Sequence, residues 1–150
     1  MGIDDTDKKI ISELVDNSRR SYREIAKNIG VSTATVMHRV NSLEKNKIIR
    51  KYTAKINYEK VGYDIEVMVQ IRISKGKLFD VEKKISAFPN VFAVYDITGD
   101  FDAVVFARFR NRRQMDDFLK KIQTFDFVER TETRLVLNTI KEEEVGVDGL

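Results

Sequence analysis

Residues 21–47 read SYREIAKNIGVSTATVMHRVNSLEKNK, and their spacing decides the fold of the N-terminal part of the chain. Ser21 followed by Glu24 is a capping box, in which the hydroxyl and the carboxylate each satisfy an orphan amide at a helix start. Ile25, Ala26 and Ile29 then recur at helical spacing. Gly30 tolerates the left-handed backbone that ends a helix, and Val31 is the apolar residue just beyond it. Ser32 caps a second helix whose inward stripe is Val36, Val40 and Leu43.

Advancing about 100° per residue puts Ala34, Thr35, His38, Asn41, Ser42 and Lys45 opposite that stripe, with Arg39 on the flank. An ordinary solvated face alternates Glu and Lys, but here Glu44 is the only acid. Two short helices joined by a tight turn form the helix-turn-helix layout, whose second helix lies in the major groove of DNA. Thr33, Ala34, Thr35 and His38 are then placed to reach base edges, and Arg23, Arg39 and Lys45 to contact phosphates. Ser21 and Ser32, at helix starts whose free amides suit phosphate, complete the set with Tyr22. The alternative is a three-helix packing unit with a merely polar surface.

Charge separates these readings. Between residues 17 and 55 there are ten basic residues and two acids, Glu24 and Glu44. This segment therefore carries +8 and the rest −5, within a formal net charge of +3. A positive region coinciding with the motif is the electrostatic footprint of a duplex-binding module. Arg19 and Arg20, beside the entry to the first of the two helices, either add phosphate contacts or solubilise the surface.

The 150 residues suffice for one ordinary domain or two small ones, and 42% hydrophobic with 34% charged residues fits a globular protein. With no long apolar run and no leader-like start, the sequence predicts a soluble cytoplasmic protein that does not enter a membrane. Zero cysteines excludes disulfides, thiolate zinc sites and cysteine nucleophiles; one histidine, His38, excludes a His-rich metal site within one chain.

Residues 4–16 predict a further helix with Ile10, Ile11, Leu14 and Val15 inward, capped by Asp4 or Asp5, giving a helix-turn-helix domain over residues 1–47. Residues 48–56 (IIRKYTAKI) read as a short strand, continuing into a polar hinge that ends at residue 64. From Ile65 the period changes to two. Ile65, Val67, Val69, Ile71 and Ile73 predict a strand, residues 78–88 a helix stopped near Pro89, and residues 91–98 and 101–109 a hairpin turned by Gly99-Asp100. A second helix buries Met115, Phe118, Leu119 and Ile122, residues 128–140 form the last strand, and residues 141–150 an acidic tail, mobile or an oligomer contact.

This order predicts an α+β chain, an N-terminal three-helix helix-turn-helix domain followed over residues 65–140 by a ferredoxin-like βαββαβ sandwich. Phe101, Ala103, Val105, Ala107 and Phe109 fill one face of the third sandwich strand, while Val104 and Phe106 occupy the other. Two helices cover one face only, so the second calls for the same sheet from another subunit, a homodimer.

The stretches DDTDKKIISELVDNSRRSYREIAKNIGVS, HRVNSLEKNKIIRKYTAKIN, VYDITGDFDAVV and ERTETRLVL, in this order, resemble the Lrp/AsnC (feast/famine) family of transcription regulators over nearly the whole chain. The resemblance implies dimers that bind semi-palindromic double-stranded DNA, assemble into tetramers or octamers, and respond to an amino acid or related small molecule bound between dimers. It implies no other cofactor. Carried onto this sequence, the sensing site involves Thr98, Gly99, Asp100, Phe101 and Asp102 of one subunit, with Thr131 and Thr133 of a neighbour. A carboxylate there pairs with an α-ammonium, while turn amides and hydroxyls hold an α-carboxylate. Otherwise Gly99-Asp100 is a plain hairpin turn and the threonines ordinary strand residues. An orphan, ligand-independent DNA-binding or architectural protein is the alternative.

Two other classes are disfavoured. An RNA recognition motif needs a basic residue and aromatics on its third strand, where GDFDAVVFARF puts Asp100 and Asp102. Catalysis lacks a thiol, and the one histidine falls in the recognition helix, away from Asp100 and Asp102. The expectation is a non-enzyme.

Overall fold

The computed structural model describes residues 2–147. The described residues form two compact units: one takes residues 2–55 together with residues 141–147, the other Ile56–Ile140.

The first unit is built on α1 (Asp5–Asp16), α2 (Tyr22–Ile29) and α3 (Thr33–Lys45). Asp4 caps α1: its carboxylate accepts from the Asp7 amide at 2.9 Å, and the Asp7 carboxylate accepts from the Asp4 amide at 3.1 Å. Ile10, Ile11 and Leu14 meet Ile25, Ala26, Val36, Val40 and Leu43 in one buried cluster. Val15, expected inward, is 43% exposed. It lies beyond the stripe that Leu14 closes.

Residues 48–56 do not form the expected strand. The Ile48 and Ile49 amides donate back to the Leu43 carbonyl at 2.9 and 3.2 Å, and the Tyr52 hydroxyl donates to Glu44 at 2.8 Å. Alternation makes a strand only where a neighbouring strand takes its amides, and all the ladder partners in the sheet fall between residues 65 and 135. The acidic tail also departs from expectation. Its described residues group with the helical unit, and Val147 lies half-buried against the helical core. Val147 gains by leaving water, which the Glu142–Glu144 charge run did not reveal.

The second unit runs β1 (Ile65–Ile73), α4 (Leu78–Ser86), β2 (Val91–Asp96), β3 (Ala103–Phe109), α5 (Arg112–Gln123) and β4 (Val128–Leu135). The sheet order is β2-β3-β1-β4 with every pairing antiparallel, the split βαβ arrangement with β1 and β3 central. Val67, Val69, Ile71 and Ile73 share a face with Ala103, Val105, Ala107 and Phe109, packed against Val81 and Ile85 of α4 and Phe118 and Ile122 of α5. The opposite face carries Met68, Val104 and Phe106, with Phe92 43% and Tyr95 58% exposed.

Three strand ends fall short of expectation. β4 stops at Leu135, opposite Val67, so Leu137 and Ile140 are exposed rather than paired. β2 ends at Asp96 and β3 begins at Ala103, leaving a loop where a tighter hairpin was read. At the loop's end Asp102 is held from both sides: its carbonyl accepts from the Ile97 amide at 3.0 Å, its amide donates to the Ile71 carbonyl at 3.0 Å and its carboxylate accepts from the Ile73 amide at 2.7 Å.

Candidate functional site

The first site is the outer surface of α3. Ser32 caps the helix, its hydroxyl accepting from the Thr35 amide at 3.1 Å, with the Thr35 hydroxyl 2.8 Å away. Gly30, at φ 75°, makes the turn from α2. Burial of Val36, Val40 and Leu43 leaves Thr33, Ala34, Met37, His38, Asn41 and Lys45 exposed on the far side. Thr35 is half-buried and its hydroxyl serves the cap. Met37 was not among the residues that the sequence placed on this face. At 42% exposure, three positions from Ala34, it offers an apolar contact of the kind a thymine methyl accepts.

The cations around this surface divide into tied and untied. Arg20 is held by Glu13 at 3.0 Å and by Asp16, a brace within the unit. Arg39 is also engaged: its guanidinium lies 2.6 Å from Asp4 and 3.4 Å from Asp7, a carboxylate only 7% exposed. That tie joins α3 to the α1 cap, a role the phosphate reading of Arg39 did not contain. Arg19, Arg23 and Lys45 make no ion pair among the described residues, and all three are exposed. Ser21 and half-buried Tyr22 sit at the start of α2, where the Ser21 amide donates to Glu24 at 2.7 Å. The Ser21 amide and hydroxyl hold the Glu24 carboxyl below its usual range. The Asp7 amide, with Arg39, does the same for Asp4.

The second site lies at the end of the sheet where β1 finishes and β4 begins. Thr98, Gly99 and Asp100 are exposed on the loop, and Gly99 takes φ 112°, a conformation that favours glycine. Arg72 donates to the Asp100 carbonyl at 3.0 Å and pairs with Glu129 at 3.5 Å; Glu129 in turn accepts from the Ser74 hydroxyl at 3.1 Å. The Arg130 guanidinium lies 4.6 Å from the Phe101 ring centre. A cleft of about 280 Å³ lined by Gln123, Val128, Glu129, Arg130 and Thr131 opens there, just below the usual size of small-ligand pockets. Gln123 donates to the Thr131 hydroxyl at 3.3 Å.

The structure thus brings the loop and Thr131 to one end of the sheet. Thr133 stands further along β4, opposite Val69 and exposed. Phe101 is buried and Asp102 is bonded to β1, so both hold the loop's shape rather than offering free groups. Arg72, Glu129 and Arg130 were not singled out from the sequence. Their signal was alternation, since Arg72 and Arg130 are directly opposite across β1 and β4. Among the described residues no cluster of three or more metal-ligating side chains occurs, and no helix is long and apolar enough to cross a membrane.

Comparison with known proteins agrees with both halves. Residues 3–50 match the family model described as winged helix-turn-helix DNA-binding, and residues 66–145 the one described as the Lrp/AsnC ligand binding domain. The HTH-type transcriptional regulator PF1734 of Pyrococcus furiosus is 41% identical over 143 residues, covering 95% of this chain and 97% of that protein. The structure of E. coli AsnC superposes with a TM-score of 0.89 at 26% identity, over 97% of this chain and 99% of that one. The regulator NMB0573 of Neisseria meningitidis, solved in complex with L-Met, gives a TM-score of 0.87 at 24% identity, over 95% and 94%. With its helical unit, its antiparallel sheet order and both signatures in register, this chain belongs to the Lrp/AsnC family of helix-turn-helix transcription regulators.

Proposed function

We propose that this regulator binds duplex DNA sequence-specifically as a homodimer, and that an amino acid or related small molecule bound at the sheet end adjusts its assembly or DNA affinity. The observation carrying the DNA reading is the α3 surface. Ala34, Met37, His38 and Asn41 are exposed together, with unpaired Arg23 and Lys45 among the cations of the same unit. Small, apolar and amide side chains suit base edges, whereas the arginine and lysine suit phosphates. Lys45→Ala is expected to weaken binding to every duplex and reduce the slope of log K against log salt by about 0.9. His38→Ala is expected to relax base preference at one position with the slope unchanged. Binding isotherms at several salt concentrations check both, and equal behaviour of the two variants would remove α3 from the groove.

The dimer reading rests on the apolar outer sheet face, Met68, Val104, Phe106, Phe92 and Tyr95. A monomeric mass by light scattering at micromolar concentration would overturn it. Dimers then assemble further, to tetramers or octamers, with Thr98, Gly99 and Asp100 facing a neighbour's Thr131. Asp100 suits an α-ammonium and Arg72 an α-carboxylate. The Neisseria regulator of the same fold, solved with L-Met, supports an amino acid as the class. Thermal-shift screening of the standard amino acids tests it, since a ligand that binds only the folded state raises stability by mass action. Silence across the panel would favour the ligand-independent reading.

A further inference from the structure

A second cleft, of about 380 Å³, opens at the other end of the sheet from the Gly99 loop, where β1 begins beside the last residue of β3. It is lined by Tyr63, Pro89, Asn90, Arg110, Gln114 and Asp117, all within the sheet unit, and its size falls inside the range of small-ligand sites. Hydrogen bonds fix its walls. The Asn90 carbonyl accepts from the Arg108 amide at 2.9 Å, and the Asn90 side-chain nitrogen donates to the Arg108 carbonyl at 2.7 Å. The Tyr63 amide donates to the Tyr58 carbonyl at 2.9 Å, and the two rings meet edge to face at 5.8 Å. At the start of α5 the Gln114 amide donates to the Asn111 side chain at 3.0 Å, and Gln114 Oε1 accepts from the Arg110 amide at 3.2 Å. The helix start is taken up by its own cap, so what the cleft offers is side chains.

The groups left over form a matched set. The Arg110 guanidinium lies 5.3 Å from the Tyr63 ring centre and makes no ion pair among the described residues. Asp117 has no partner there either, since Arg112 takes the neighbouring Asp116 at 3.8 Å. The two border one cleft without pairing with each other. Gln114 Nε2 and Asn90 Oδ1 add a donor and an acceptor. With a rise of about 1.5 Å per residue, Asp117 stands about 9 Å along α5 from the Asn111 cap that follows Arg110. Cation and anion are therefore offered at separate points, with the Tyr63 and Pro89 rings as apolar wall. A lone anion would meet Asp117 and a lone cation Arg110, whereas a molecule carrying both charges satisfies each.

We propose that this cleft binds a straight-chain ω-amino carboxylate, with its carboxylate on Arg110 and Gln114, its ammonium on Asp117 and Asn90, and its methylenes against Tyr63 and Pro89. Charge-assisted hydrogen bonds hold the two ends. Their separation selects length over the α-amino acid arrangement, in which both charged groups share one carbon. The cleft has no residue in common with the one at Thr131, so this assignment does not depend on the effector reading.

The test titrates the full chain with glycine, β-alanine, γ-aminobutyrate, δ-aminovalerate and ε-aminocaproate, following the Asn90, Arg110 and Gln114 amides by NMR. Affinity is expected to rise along the series by about two- to fourfold per methylene buried. Caproate and hexylamine, each lacking one charge, should bind about tenfold more weakly than ε-aminocaproate. Asp117→Asn should weaken ε-aminocaproate by about tenfold and leave caproate unchanged, whereas Arg110→Gln should weaken both. Both side chains are exposed, so these variants keep the fold, which unperturbed β1 amides check. Silence at Arg110 and Gln114 for every probe, or shifts confined to Gly99, Asp100 and Thr131, would overturn the site. Glycine or caproate binding as tightly as ε-aminocaproate, or an Asp117→Asn affinity equal to that of the unmodified chain, would overturn the ligand class. Absence of α-amino acid binding at the Gly99 loop would instead strike only the effector reading.

Discussion

In the helical unit, Asp4 and Glu24 stand at helix starts where amides donate to them, and both are held in the ionised form. In the sheet unit, Glu82 stands mid-helix without such amides, and burial, with the Asp96 carboxylate beside it, raises its carboxyl to about 7. The helical unit spends its acids on internal order: capping α1 and α2, bracing Arg20, and tying Arg39 across from α3 to α1. The outer face of α3 is left free of acids apart from Glu44, which Tyr52 occupies. In the sheet unit Arg72, Asp100, Glu129 and Arg130 come together at one end of the sheet. One unit has its binding face cleared of anions. The other sets Glu129 and Arg130 in the lining of a cleft, with Arg72 beside them.

If the units are separable in stability, truncating a core residue in one should spare the other. Ile10 is fully buried in the helical cluster, and Ile10→Ala is expected to cost about 2–5 kcal/mol by lost burial and cavity formation. Chemical denaturation followed by duplex binding and by far-ultraviolet dichroism should then show DNA binding failing while the sheet signal persists. Coincident transitions would show that the units unfold as one.

Arg39 sharpens the division between tied and untied cations. Arg39→Ala strands the Asp7 carboxylate, 7% exposed, without its guanidinium, at an expected cost of about 1–3 kcal/mol. The salt slope of DNA binding should stay as it was. A slope lower by about 0.9 with stability unchanged would return the guanidinium to the phosphates.

Gly30 probes the turn between the two motif helices. It holds φ 75°, and an added Cβ would meet nothing within 4 Å. The cost of Gly30→Ala is therefore conformational alone, about 1–2 kcal/mol, read as a shift in the denaturation midpoint.

The helical unit was the more legible in the sequence, since local chemistry fixes it. Ser21, Glu24, Gly30 and Ser32 act within four residues of themselves, and each does in the structure what its spacing implies. The sheet order was legible from the alternation of periods and the hairpin. What escaped depends on partners distant in sequence. Residues 48–56 had the alternation of a strand without an edge to join, and Asp102 resembled a loop acid until β1 lay beside it. The tie from Arg39 to Asp4 and Asp7 escaped because those partners stand 35 and 32 residues earlier in the chain. Glu82 carried no signal at all, because Asp96 reaches it only across the α4–β2 packing.

The smallest effect bears most directly on the contrast between the units. A carboxyl whose folded value is lowered contributes stability above its unfolded value, and this is lost as pH falls through the folded one. Asp4 and Glu24, lowered from 3.8 and 4.5, therefore weaken the helical unit in acid. A carboxyl whose folded value is raised behaves in the opposite sense. The contribution of Glu82 is complete below 4.5 and disappears as pH rises through about 7. All three groups keep contact with water, so each limb is shallow and is best seen by difference. Glu24→Gln should flatten the acid limb in amide exchange of α2 while leaving β2 unchanged, and Glu82→Gln should flatten the neutral limb in β2 while leaving α2 unchanged. If either substitution moves both units equally, the opposed acid chemistry is not local to them, and protonation acts on the stability of the chain as a whole.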